Sequence, residues 1–189
     1  MRVISGTLRG RFIEGYDIVG TRPTMDRIKE SLFAIIQDNI KDSVVLDLFA
    51  GSGSYGIETI SRGAKHVYFN DFNKECVKVI KKNLVKLEIT DKSTIYNLDY
   101  KMCLSHLKSK SLKFNLVFLD PPYKLIVINE ILDYLEKNNL LINNAYVIVE
   151  LYSDNLKEKY NNLIRIKEKY YNQKKIYIYK YKGEGNEIK

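Results

Sequence analysis

Short apolar runs alternate with amphipathic stretches along most of this chain. "SVVLDLFAG", "HVYFND", "TIYNLD", "FNLVFLD" and "AYVIVELY" have the β-branched, aromatic and aliphatic content of buried strands. Between them, residues from Ser54 to Arg62, Asn73 to about Leu87, Met102 to Leu107 and Asn129 to Lys137 read as helices. Strands this apolar, separated by helices, predict a parallel sheet covered on both faces. Upstream, a helix is expected behind Thr24 as its N-cap, with Asp26 in the first turn and Ile28, Leu32, Ile35 and Ile36 on one face. Near the end, "LIRIKEKYY" and "KKIYIYKYK" flank a polar turn at Asn172 and Gln173, which predicts a hairpin closing the sheet edge. The predicted sheet therefore has seven strands, and "RVISGTLRGRFI" has the shape of a further short hairpin. The final GEGNEIK reads as a frayed tail.

Composition narrows the class. At 189 residues and 45% hydrophobic content, the chain suits one globular domain. It holds no apolar run of the roughly 18 residues that a membrane span needs, and MRVISGTLRGR lacks a signal-peptide core, so a soluble cytoplasmic protein is expected. Cys76 and Cys103 are far apart, and His66 and His106 are isolated, which argues against a disulfide framework and a metal site. The net charge of +8 suits a polyanionic partner, although a chain rich in Lys, Asn, Ile and Tyr acquires some of that charge from composition alone. Arginine is more telling. Of seven arginines, Arg2, Arg9, Arg11, Arg22 and Arg27 lie in the first 27 residues, marking a candidate phosphate-binding surface.

The candidate chemistry lies at the strand ends. "GSGSYG", Gly51 to Gly56, follows the first strand and matches G-x-G-x-x-G, a turn whose glycines permit close backbone approach and whose helix presents free N–H groups. Asp71 ends the second strand 20 residues after Gly51, where a carboxylate can accept from ribose hydroxyls. Asp99 ends the third, placed either to meet an adenine amino group or to cap the next helix. A nucleoside-containing cofactor follows from this pattern. It fits a nicotinamide dehydrogenase or an S-adenosylmethionine enzyme equally well.

"FLDPPY" separates the two. Consecutive prolines stiffen the chain after Asp120 and remove two N–H donors, leaving carbonyls beside a carboxylate. Such an acceptor cluster suits an exocyclic amine on a base, whose lone pair it would free and aim at an incoming methyl group. Tyr123 is placed to stack on a base turned out of its helix. A structural turn would account for the prolines alone but not for Asp120 and Tyr123 around them.

"VLDLFAGSGSYGIETISRGA", "FLDPPY" and the leading "MRVISGTLRGR…TRPTMDRIKESLF" resemble the RsmD family of bacterial 16S rRNA guanine-N2 methyltransferases, over nearly the whole chain. The resemblance implies a Rossmann-like class I methyltransferase fold, S-adenosyl-L-methionine as donor, and N2 of guanine 966 in 16S rRNA of the small ribosomal subunit, or its assembly intermediate, as target. It assigns Asp47, Gly51, Ser52 and Gly53 to the cofactor, Asp71 to its ribose and Asp99 to its adenine. Asp120, Pro121, Pro122 and Tyr123 form the target-amine site. Residues 1–40 become a basic RNA-binding extension, 41–183 the catalytic domain and 184–189 the tail. Arg9, Arg11 and Arg22 are then expected on rRNA phosphates, with local carboxylates such as Asp26 as the other partner for Arg22. Two positions depart from the family pattern: Asp71 stands where Glu is usual, and Tyr55 where an aliphatic residue is usual. Direct in-line transfer without a covalent enzyme intermediate is expected, and nothing in the sequence demands a dimer or a membrane. A DNA adenine-N6 methylase shares the Pro-Pro-Tyr chemistry, while a non-catalytic rRNA-binding assembly factor would keep the basic arm alone.

Overall fold

The computed structural model describes residues 1–15, 23–122, 125–152, 156–171 and 174–183. Five helices are α1 (Pro23–Ile36), α2 (Ser54–Ser61), α3 (Lys74–Lys86), α4 (Tyr100–Ser109) and α5 (Leu125–Lys137). The strands are β1 (Val44–Asp47), β2 (His66–Asn70), β3 (Ser93–Tyr96), β4 (Phe114–Leu119), β5 (Leu141–Tyr152), β6 (Lys159–Tyr160), β7 (Leu163–Tyr171) and β8 (Lys174–Tyr181). They form one eight-stranded sheet in the order β3-β2-β1-β4-β5-β8-β7-β6. The first five positions are parallel and the last three pairings antiparallel.

All seven expected strands are present. The eighth, β6, pairs Lys159 with Ile164 and Tyr160 with Leu163, and two residues are too few to carry a periodic signal. β5 begins at Leu141 rather than Ala145; a register shift opposite Phe114 to Leu116 and the left-handed Asn144 (φ 63°) interrupt the alternation there. Helix α1 starts at Pro23, one residue before its expected cap Thr24, and proline's fixed φ suits a first helical position. The turn at 172–173 and the tail at 184–189 lie outside the described residues.

Both faces of the sheet are covered, as its uniformly apolar strands require. One core packs α4 and α5, through Leu104, Leu107, Ile131 and Leu135, against Leu46, Val117, Val147 and Tyr179. The other joins α1, α2 and α3 to Val45, Val67, Phe118 and Ile148. The N-terminal segment belongs to this second core: an antiparallel bridge between Arg2 and Phe12 folds it back on itself, and Val3 and Ile13 are buried beneath.

A fully buried carboxylate fixes that segment. Glu58 of α2 accepts from the backbone N–H groups of Ile4 (2.9 Å) and Ser5 (3.0 Å) and from Arg62 Nε at 2.8 Å, with Lys29 Nζ 3.6 Å away. Four donors around one carboxylate are what make its burial tolerable. No helix among the described residues is long and apolar enough to cross a membrane. Nor does any group of three His, Cys, Asp or Glu among them make a metal site.

Candidate active site

The chain leaves β1 for β2 and β3 on one side, then returns to place β4 on the other. Neighbouring loops diverge at such a reversal, opening a crevice beyond the strand ends. A cavity of about 620 Å³ occupies it.

Its first wall is the turn between β1 and α2. Gly53, at φ 80°, occupies the left-handed position preceding α2, where a side chain would be strained. Gly56 sits in the first turn of α2, where an added Cβ would lie 2.2 Å from Phe69 Cε1, so only glycine lets the helix approach β2. Asp47, at the end of β1 and almost fully buried, accepts from Gly56 N at 3.1 Å and satisfies one of the unpaired N–H groups of the first helical turn. Burial pushes its carboxyl up to about 7; the Gly56 bond opposes this, and nearby Asp71 adds to it.

Asp71 ties this turn to the next helix. One oxygen accepts from Gly51 N and the other from Asn73 N, each at 2.8 Å, and Asn73 in turn caps α3. Asp99 caps α4 by accepting from Lys101 N at 2.9 Å. Both carboxylates border the cavity and retain lone pairs for a ligand. Asn70, which sequence reasoning passed over, clamps the strand ends: its amide donates to Leu48 O and Leu98 O, both at 3.1 Å, and accepts from Leu98 N at 3.2 Å.

The opposite wall begins at Asp120, immediately after β4, followed by Pro121 and Pro122. Its carboxyl takes no hydrogen bond from any described residue. Burial lifts it to about 7, Glu150 raising it further, Lys174 opposing, and Asp47 adding a little. Glu150 and Lys174 line the same wall and form an ion pair. Tyr55 donates its hydroxyl to Glu150 Oε2 at 2.5 Å and stacks on Phe118 with ring centroids 5.1 Å apart. A charged residue inside the apolar "AYVIVELY" was the available signal for Glu150; nothing in the sequence singled out Lys174.

The cavity thus gathers Gly51, Ser52, Asp71 and Asp99 opposite Asp120, Pro121 and Pro122. Asp47 and Gly53 act from behind its wall by holding the turn and α2 in place. Tyr123 and Arg22 lie outside the described residues. Arg9 and Arg11 are elsewhere. Arg11 Nη2 donates to Lys86 O at 3.2 Å, at the last turn of α3, and the hairpin turn rests on Ser61, the last residue of α2. Both helices begin at the cavity, so these arginines stand roughly 10–20 Å from it at 1.5 Å per helical residue. Both cysteines are buried. Cys76 borders the cavity from α3, whereas burial pushes the Cys103 thiol up to about 12.

Known proteins resemble this chain over nearly its whole length. The family model described as conserved hypothetical protein 95 matches residues 1–180. The chain is 37% identical over 172 residues to ribosomal RNA small subunit methyltransferase D of Haemophilus influenzae, covering 89% of this chain and 88% of that one. It is 34% identical over 184 residues to Bacillus subtilis YlbH, covering 97% and 100%. The solved structure of Escherichia coli yhhF superposes with a TM-score of 0.84 at 30% identity, covering 97% of this chain and 99% of that one.

Proposed function

The chain belongs to the conserved hypothetical protein 95 family, and from that premise we propose that it is an S-adenosylmethionine-dependent rRNA methyltransferase acting on the N2 amino group of a guanine in 16S rRNA. The observation that carries this reading is Asp120: a carboxyl walled into a cavity, without a described hydrogen-bond partner, at the head of a Pro-Pro corner. The family resemblance supports guanine 966 as that guanine.

The residues present fit the donor. Asp99 and Asp71 offer carboxylate oxygens for an adenine amine and ribose hydroxyls, and Gly51 and Ser52 bring backbone close enough to meet an amino-acid tail. When bound, S-adenosylmethionine supplies an electrophilic methyl group.

Asp120 accepts a hydrogen bond from the target amine, turns its lone pair toward the cofactor side and takes the proton that the amine loses. Pro121 and Pro122 keep this corner rigid, so little reorganisation accompanies the reaction. Tyr123 serves as the stacking surface for the extruded base. Arg9, Arg11 and Arg22 hold rRNA phosphates; at its distance from the cavity, the Arg9–Arg11 pair meets a part of the rRNA remote from the target guanine.

The test is methyl transfer from labelled S-adenosylmethionine to unmodified small subunits, naked 16S rRNA and duplex DNA in parallel, with the modified nucleotide mapped. Label on a guanine N2 of small subunits or 16S rRNA is the expected result. Label on DNA adenine alone keeps the chemistry and replaces the target. Binding of rRNA with no transfer anywhere replaces the enzyme with an assembly factor.

A further inference from the structure

β4 and β5 run in register with Phe118 opposite Ile148 and Leu119 opposite Val149. Asp120 and Glu150 are the next residues on the two paths and continue the face that carries Phe118 and Ile148. β8 extends the row: Ile176 lies opposite Glu150, and Lys174, two residues earlier, is on the same face. Asp120, Glu150 and Lys174 all line the cavity.

Both oxygens of Glu150 are engaged, Oε1 by Lys174 Nζ and Oε2 by the Tyr55 hydroxyl. Its side chain is 6% exposed, so its position and its pairing are fixed by the fold. Other ionisable groups face this row from the elements packed around it. Asp47 approaches from β1 and Tyr55 from α2. Lys29 of α1 reaches Ser54 O at 3.3 Å and Glu58 at 3.6 Å.

We propose that Glu150 and Lys174 are positioning residues for Asp120: their paired charges, on the next two strands of the same face, govern how readily its carboxyl takes up the proton that the amine releases. The catalytic use of this device rests on the methyl-transfer reading; the electrostatics do not. When the amine gains a methyl group, one N–H bond must break so that nitrogen returns to neutrality. Its proton forms an O–H bond on the Asp120 carboxylate, which becomes a neutral acid until solvent takes the proton. A carboxylate with ordinary acidity is a poor acceptor near neutral pH, whereas one shifted toward neutrality both accepts and releases. Neighbouring strands lie about 4.8 Å apart, so on this shared face a Glu150 carboxylate opposes ionisation of Asp120 and a Lys174 ammonium favours it.

Carboxyl 13C NMR on the whole protein labelled at aspartate follows Asp120 directly, its resonance assigned by loss in Asp120→Asn. Glu150→Gln keeps an acceptor for Tyr55 and removes the charge; the Asp120 midpoint falls, by roughly tenfold in proton affinity. Lys174→Met moves it upward by a similar factor. The acid limb of kcat for methyl transfer moves in the same opposite directions, which a merely structural role would not produce. Midpoints unchanged in both variants, or displaced the same way, overturn the proposal. Should Glu150→Gln not fold, Lys174→Met decides alone: a raised midpoint supports the pair and an unchanged one overturns it. Opposite NMR shifts in a protein that methylates no RNA uphold the charge pair and overturn the methyl-transfer reading instead.

Discussion

Asp120 is an acid held where water cannot fully solvate it and where no described donor answers it, so a substrate amine is its natural partner. Asp120→Ala lowers kcat by about 10²–10³-fold, the size expected on removing one preorganised polar group, while cofactor affinity measured by calorimetry stays within a few-fold. Loss of cofactor binding with unchanged single-turnover chemistry would reassign the residue. Gly56 illustrates a different constraint. Gly56→Ala places a methyl group 2.2 Å from a buried ring, and the resulting overpacking costs about 1–3 kcal/mol, read from chemical denaturation. The third glycine of G-x-G-x-x-G was visible as a motif position; that Phe69 is what excludes a side chain there was not.

At the scale of elements, periodicity located every strand long enough to alternate and every α-helix core, and missed the two-residue β6 and several element ends. α5 begins at Leu125, ahead of the expected Asn129, because "LIVIN" is as compatible with a strand as with a helix until its neighbours are known. The N-terminal hairpin is a tertiary element. Its two-residue bridge is far too small to be stable alone, and Glu58 holds it through Ile4 N and Ser5 N from 54 and 53 residues away. Glu58→Gln leaves Arg62 and Lys29 facing a neutral group and costs about 3 kcal/mol. Hydrogen exchange at the Ile4 and Ser5 amides then outpaces global unfolding; amides that stay as protected as the core would assign the docking to Val3 and Ile13 instead.

For the whole molecule, two charge distributions make predictions. Asp47 is raised from 3.8 to about 7, so the folded state binds a proton that the unfolded chain has already released. Its contribution to stability is complete below about pH 4 and is lost as pH rises through about 7, on the order of 4 kcal/mol for one fully buried group. Asp47→Asn is therefore expected to gain on the wild type from pH 5 to pH 8 in thermal melts. A constant gap between the two would remove Asp47 from the pH response. On the basic side, reversing Arg9 and Arg11 to Glu weakens rRNA binding and makes the salt dependence shallower by about one unit of log–log slope per lost phosphate contact. An unchanged slope would confine Arg11 to capping α3.

The alternating architecture, the glycine turn, the carboxylates at three strand ends and the Asp-Pro-Pro corner are legible in the residues alone, because hydrophobic period, backbone freedom and proline chemistry are properties of neighbouring residues. Tertiary structure alone decided the rest. Glu150, Lys174 and Tyr55 come from β5, β8 and α2, and only strand register, pleat and the packing of α2 on the sheet bring them to the wall that Asp120 occupies. Packing likewise sent Arg9 and Arg11 to the far ends of α2 and α3, since the hairpin must bury Val3 and Ile13 against the sheet-covering helices wherever its arginines then fall. Pairings across such sequence distances depend on the positions of whole elements, and no local pattern encodes them.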